Sequence, residues 1–244
     1  MSEYTRTNAF QTLKHFIISY CFLLSLSLLS CDGKDFFSSK KEGTITYEVS
    51  FPYEENTIIL ELYPKEMFFD FKDDKMKASL KSTWGIVSSE LIIDNDQKSY
   101  TQMLKSFGDK YQMTLVGDEI KLWLDRNPGI RIEESTDTLT IAGYLCNKSV
   151  AYFTNDSFPP IDLYYTKELK FKNPNWWNQY NQLDGFLLGY EVEQYGKRMR
   201  LRAKDVKFQA IPDQAFLVPT EYKKLSFNEM TSQLDKVVNE FMNQ

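Results

Sequence analysis

The sequence predicts a mainly β, antiparallel domain followed by one amphipathic C-terminal helix. Three observations carry that prediction. Short segments in which apolar and polar residues alternate succeed one another between Thr44 and Lys207, the period-two signature of half-buried strands. Turn residues separate them at hairpin spacing, which suggests a meander rather than α/β alternation. After Ser226 the apolar period lengthens to that of a helix.

The amino terminus reads as delivery rather than fold. Arg6 and Lys14 precede an apolar run from Phe16 to Leu29, too short to cross a bilayer and of the length of a secretory signal's hydrophobic region. Leu28-Leu29-Ser30-Cys31 resembles a bacterial lipobox, which predicts a signal peptide over residues 1–30 and lipid attachment at Cys31. Its acyl chains, at about 0.8 kcal/mol per buried CH₂, anchor a chain stably. Residues 31–42 then read as a lipidated tether, and 43–244 as a single β-rich domain.

Taken in order, Thr44 to Phe51 is the first strand, with Ile45, Tyr47, Val49 and Phe51 on one face. Pro52 ends it. Thr57 to Leu62 and Met67 to Phe71 follow on either side of Pro64, then Lys75 to Lys81 after Asp73-Asp74. Trp84 to Ile93 and Lys98 to Leu104 flank the turn Asp94-Asn95-Asp96-Gln97, and Lys110 to Val116 follows Gly108. Ile120, Leu122 and Leu124 alternate, so residues 118–125 read as strand. Asn127-Pro128-Gly129 is a turn, after which Ile130 to Ile132 resumes. Thr138 to Cys146 reads as one buried strand, followed by Ser149 to Phe153, Ile161 to Thr166, Phe186 to Glu193 and Lys197 to Lys207. Residues 170–181 break the pattern and form a loop with paired indoles at Trp176 and Trp177. Ser226 and Glu229 make a capping-box pattern for a helix over 226–242, whose residues Phe227, Met230, Leu234, Val237, Val238 and Phe241 share one face. That stripe is expected to lie on the sheet or plug its concave side.

Composition closes several routes to chemistry. The only histidine, His15, lies inside the predicted signal, and of three cysteines only Cys146 remains as a free thiol. Histidine-assisted nucleophiles, histidine-containing and multi-cysteine zinc sites and an intramolecular disulfide are thereby excluded. Removing a signal of net charge +1 from a chain of −5 leaves about −6, an acidic balance that argues against nucleic-acid binding. Neighbouring carboxylates such as Asp94/Asp96 and Glu133/Glu134 lack the spacing of a calcium loop, and adjacent carboxylates on a strand point to opposite faces. No cofactor or metal site is expected, and the protein is not expected to be an enzyme.

Ile141-Ala142-Gly143-Tyr144-Leu145-Cys146-Asn147-Lys148 resembles the core motif of a Bacteroidota envelope family, domain of unknown function 4412, and more loosely the GLPGLI family. The resemblance runs through Leu163 to Glu168, Asn173 to Trp176, Leu183 to Tyr190, Met199 to Val206 and Ile211-Pro212-Asp213. Such families look like relatives of the carriers LolA and LolB. The resemblance therefore implies an incomplete, open antiparallel barrel or strongly curved sheet, with a concave apolar face that holds acyl chains.

Candidate binding residues are few. Arg198, Arg200, Arg202 and Lys204 fall on one strand face. A turn at Tyr195-Gly196 sets Arg198 opposite Glu193 and Arg200 opposite Glu191, pairs that need no ligand. Arg202 and Lys204 lack acidic partners in that register and stay candidates for an anionic group. Trp176 and Trp177 are candidates for an adhesive lip, though adjacent residues on a strand cannot both face inward. Cys146, with no base nearby, reads as a buried, inert thiol. Asp137-Thr138-Leu139 resembles a short O-glycosylation acceptor motif. The expected function is that of a lipid-anchored cell-envelope protein, at the outer rather than the inner membrane. It binds an apolar ligand or an envelope protein partner without catalysis. The alternative is a structural or docking subunit with a solid core.

Overall fold

The computed structural model describes residues 42–55, 60–61, 63–126, 128–154, 159–194 and 197–242. The predicted signal, Cys31 and the tether up to residue 41 lie outside them. Twelve strands form one sheet: β1 Glu42–Ser50, β2 Glu66–Lys72, β3 Lys75–Lys81, β4 Val87–Asp94, β5 Ser99–Ser106, β6 Asp109–Val116, β7 Ile130–Ile141, β8 Tyr144–Phe153, β9 Ile161–Thr166, β10 Phe186–Gln194, β11 Lys197–Phe208 and the short β12 Lys223–Lys224. Their order is β12-β6-β5-β4-β3-β2-β1-β11-β10-β9-β8-β7. Two meanders thus run outward from a seam where β1 pairs antiparallel with β11, Gly43 opposite Phe208. The sheet is not closed: β7 forms one edge, and β12, parallel to β6, the other.

The predicted alternation places the core. Ile45, Tyr47 and Val49 of β1, Met67, Phe69 and Phe71 of β2 and Met199, Leu201 and Ala203 of β11 are buried on one face. Phe69 of β2 meets Phe186 of β10 edge to face at 5.3 Å, although β1 and β11 lie between their strands. Tyr47 also donates its hydroxyl to the carbonyl of Leu187 at 2.7 Å. The first contact spans two intervening strands and the second spans one, which requires strong curvature with these aromatics on the concave side. On the other face Ile92 and Met103 are covered by Ile211 and Phe216, which explains why β4 and β5 are apolar on both sides.

Four expectations need correction. Thr138 to Cys146 is a hairpin rather than one strand: Ala142 and Gly143 both take positive φ, 49° and 84°, the pattern of a type I′ turn. Alanine in the place usually held by Asn hid that turn from the sequence reading. Residues 118–124 of the predicted strand 118–125 are helical, as α1 (Asp118–Leu124), with Asp125 as its C-cap. Its buried or half-buried apolar residues are Ile120, Trp123 and Leu124, an i, i+3, i+4 stripe, while Leu122 faces solvent. The misleading alternation came from that exposed leucine. Trp84 to Ile86 precede β4 as a turn, and Leu60 and Glu61 are helical rather than extended; residues 57–59 and 62 of that predicted strand lie outside the described ones. The C-terminal helix, α2 (Phe227–Met242), starts as predicted. The Ser226 N–H donates to a Glu229 carboxylate oxygen at 2.7 Å, and Glu229 N–H returns to Ser226 Oγ at 3.4 Å.

Candidate functional site

The concave face keeps a cavity of about 210 Å³. The long strands supply its walls by alternation: Phe69 from β2, Leu80 from β3, Tyr100 from β5, Tyr190 from β10 and Leu201 from β11, with Trp123 of α1 and Trp177 closing it. Tyr100 holds the closing pieces together, its ring 4.6 Å from Trp123 and 6.3 Å from Trp177. Among its described side chains, helix α2 contributes none to this cavity; it packs through Met230 and Val237 on the main core, alongside β6. The plug is therefore α1, a helix where alternation predicts a strand.

The loop carrying the indoles is fixed by its own polar groups. Asn175, buried, donates through its amide nitrogen to the carbonyls of Leu183 and Gly185 at 3.0 and 2.8 Å. Glycine is required at 185, where an added Cβ would meet the Tyr165 ring at 2.5 Å. Trp176 and Trp177 then separate. Trp176 donates its indole N–H to Asn95 Oδ1 and lies under the Lys98 ammonium, 4.6 Å from its ring centre. Trp177 turns inward, against Tyr100.

One end of the cavity is charged. Glu191, 6% exposed, receives Arg198 at 2.9 Å and Arg200 at 2.8 Å. The register is the predicted one, Glu191 opposite Arg200 and Glu193 opposite Arg198; Arg198 reaches diagonally to Glu191. Its guanidinium also lies over the rings of Tyr53 and Phe153, at 5.0 and 5.6 Å. Among the described residues Glu191 is the one buried carboxylate, and it faces two guanidiniums rather than a second acid. Burial pushes the phenols of Tyr100, Tyr180 and Tyr190 far above their ordinary range, so they are neutral. What this arrangement offers is a neutral aromatic recess with an ion pair at its rim, suited to binding.

Arg202 and Lys204 lie elsewhere. They are exposed between buried Leu201 and Ala203 and so point from the outer face. The β1 pairing sets Glu48 opposite Arg202, and Lys204 Nζ reaches Glu66 at 3.2 Å. The predicted register considered β10 alone and missed both acids. Of the four predicted binding residues, only Trp177 lines the cavity. Phe69, Tyr100, Trp123 and Tyr190 went unnoticed, and only Trp123 had a local signal, the i, i+3, i+4 spacing of α1. Cys146 is fully buried, its thiol directed at the Tyr144 carbonyl at 3.6 Å, and burial pushes its pKa up to about 11.

Fold and cavity together define an open antiparallel sheet curled around an aromatic recess. No family model matches the chain, and no curated protein matches it. Among solved structures, two crystal forms of PNGF-II match 81% and 80% of the chain at TM-scores of 0.52 and 0.51, with 19% and 18% identity. The chain spans about a third of that protein's length, 34% and 33%, and at this identity the likeness concerns the fold alone. MucB in complex with periplasmic MucA, and the MucA/MucB complex of Pseudomonas aeruginosa, match at TM-scores of 0.31 and 0.30 with 9% identity. They cover 78% of this chain and 57% and 62% of theirs. Scores that low carry no argument.

Proposed function

We propose that this chain is a lipid-anchored envelope protein whose curled sheet holds a small apolar group without transforming it. The observation that carries the reading is the recess of about 210 Å³ walled by Phe69, Tyr100, Trp123, Trp177 and Tyr190. An apolar cavity of about 150 Å³ takes a benzene-sized guest, and sites for drug-sized ligands begin near 300 Å³. The occupant is therefore one ring or the end of an acyl chain, the rest lying outside. Support for the anchor is the stretch Leu28-Leu29-Ser30-Cys31, which resembles a lipobox.

The test is organic extraction of protein isolated from its own membrane, followed by displacement of a fluorescent acyl probe. Co-purified lipid and saturable displacement are expected; repeated empty extracts with no displacement would overturn the reading. The second reading, a docking subunit with a filled core, is favoured by the small size of the recess and takes over in that outcome. The anchor is tested separately. Cys31→Ser is expected to abolish labelling by an alkynyl palmitate analogue, and persistent labelling would refute attachment at that residue.

A further inference from the structure

The polar groups around the recess are mostly committed within the chain. Asn175 gives its amide to two backbone carbonyls, and Trp176 its indole N–H to Asn95. Tyr47 donates its hydroxyl to the Leu187 carbonyl and Tyr180 to the Glu191 carbonyl. The indole nitrogen of Trp177 is shielded from solvent too, yet it has no acceptor among the described residues. An indole N–H can only donate, and a buried donor left unmet costs about 1–3 kcal/mol. Trp177 lines the recess, so an occupant can bring the acceptor that the chain does not supply.

Other wall positions are also more than apolar. The inward row of β5 sets Gln102 beside Tyr100, which puts a primary amide on the concave face. Tyr100, its ring 6.3 Å from that of Trp177, and Tyr190 line the same space. Burial holds both phenols protonated, so each can donate to an oxygen. A few polar groups converging within an apolar wall are the usual make-up of a small-molecule site. A charged acceptor would have to shed its water among these rings, while Arg198 and Arg200 are engaged by Glu191, so a neutral acceptor fits better. A cavity of about 150 Å³ holds a benzene ring, and about 210 Å³ leaves room for a substituent on it. The methyl end of an acyl chain fills the same space but brings no acceptor.

We propose that the recess takes a neutral ring bearing a carbonyl oxygen, which the Trp177 indole N–H receives, with Tyr100, Tyr190 and Gln102 as further polar wall. This rests on the reading of the recess as a binding site and narrows its occupant from the two that size allows.

The test compares acetophenone with ethylbenzene, probes of nearly one shape that differ in C=O against CH₂. The purified protein, ¹⁵N-labelled and dialysed free of small molecules, is titrated with each while its indole N–H signals are followed by NMR. A purely apolar recess prefers ethylbenzene, because the carbonyl gives up its water. The reverse order is expected here: acetophenone binds about tenfold more tightly and shifts the Trp177 signal, which Trp177→Phe identifies by its loss. In Trp177→Phe, which keeps a ring and removes the donor, ethylbenzene is expected to bind the more tightly. Ethylbenzene binding the parent protein as tightly as acetophenone, or more so, would overturn the acceptor and leave the recess as a site for plain apolar groups. Should neither probe bind, the recess reading falls and this proposal with it. If Trp177→Phe fails to fold, the order of the two probes on the parent protein still decides.

Discussion

Glu191 is the residue on which the rim of the recess depends. A buried carboxylate costs several kcal/mol unless its charge is met, and here Arg198 and Arg200 meet it. Glu191→Ala leaves the Arg198 guanidinium, with a side chain 10% exposed, without that carboxylate. We expect a loss of about 3 kcal/mol or more in urea unfolding. Arg200→Ala, at a half-exposed partner, is expected to cost at most about 1 kcal/mol. Similar losses for the two would refute this division. A second expectation concerns pH. Cys146 has its thiol pushed from 9.0 to about 11 by burial, so the folded state keeps a proton that the unfolded chain releases above pH 9. That contribution is complete below pH 9 and is lost as pH rises towards 11, at about 1.4 kcal/mol per unit. Tyr47, Tyr100, Tyr180 and Tyr190, raised in the same sense by burial, add to the loss above pH 10. Thermal melts are expected to stay level from pH 7 to 9 and fall steeply beyond, with Cys146 unreactive to Ellman's reagent until the chain unfolds.

Among the elements, legibility follows how local the determining signal is. The capping box at Ser226 and Glu229 is written in four consecutive residues, and the helix begins where it predicts. Ser226→Ala is expected to cost about 1 kcal/mol in the melt of the whole domain; no change would mean that α2 frays without effect on the sheet. The turns at Ala142-Gly143 and Phe107-Gly108 carry only half of their usual signature. Gly108 still marked one, while at the other a plausible nine-residue strand concealed a hairpin. The helix α1 was hidden by the exposed Leu122, though its stripe of Ile120, Trp123 and Leu124 was present. Because Trp123 packs on Tyr100 over the recess, Trp123→Ala is expected to destabilise the domain by about 3 kcal/mol. It is also expected to admit a bulkier acyl probe, as measured by displacement titration.

At the scale of the molecule, the strands were readable and the recess was not. Alternation tells which side chains of a strand share a face, but the walls come from strands brought together by the β1–β11 seam, between residues 150 to 165 positions apart. No local pattern records that pairing, and for the same reason Glu48 and Glu66 were invisible as neighbours of Arg202 and Lys204. Hairpins β3–β4 and β5–β6 supply Leu80, Leu91 and Tyr100 to the recess. Filling the recess should therefore separate an open site from a solid core. Ala78 lines it, half-buried, opposite Phe69 and Leu91. In a solid core, Ala78→Phe would overpack the site and cost about 1–3 kcal/mol. In a recess of about 210 Å³ the ring has room, so the expected outcome is a melt near that of the parent protein. Acyl-probe displacement is expected to be lost. A strongly destabilised variant would show that the space is not open to a side chain, and hence not to a ligand.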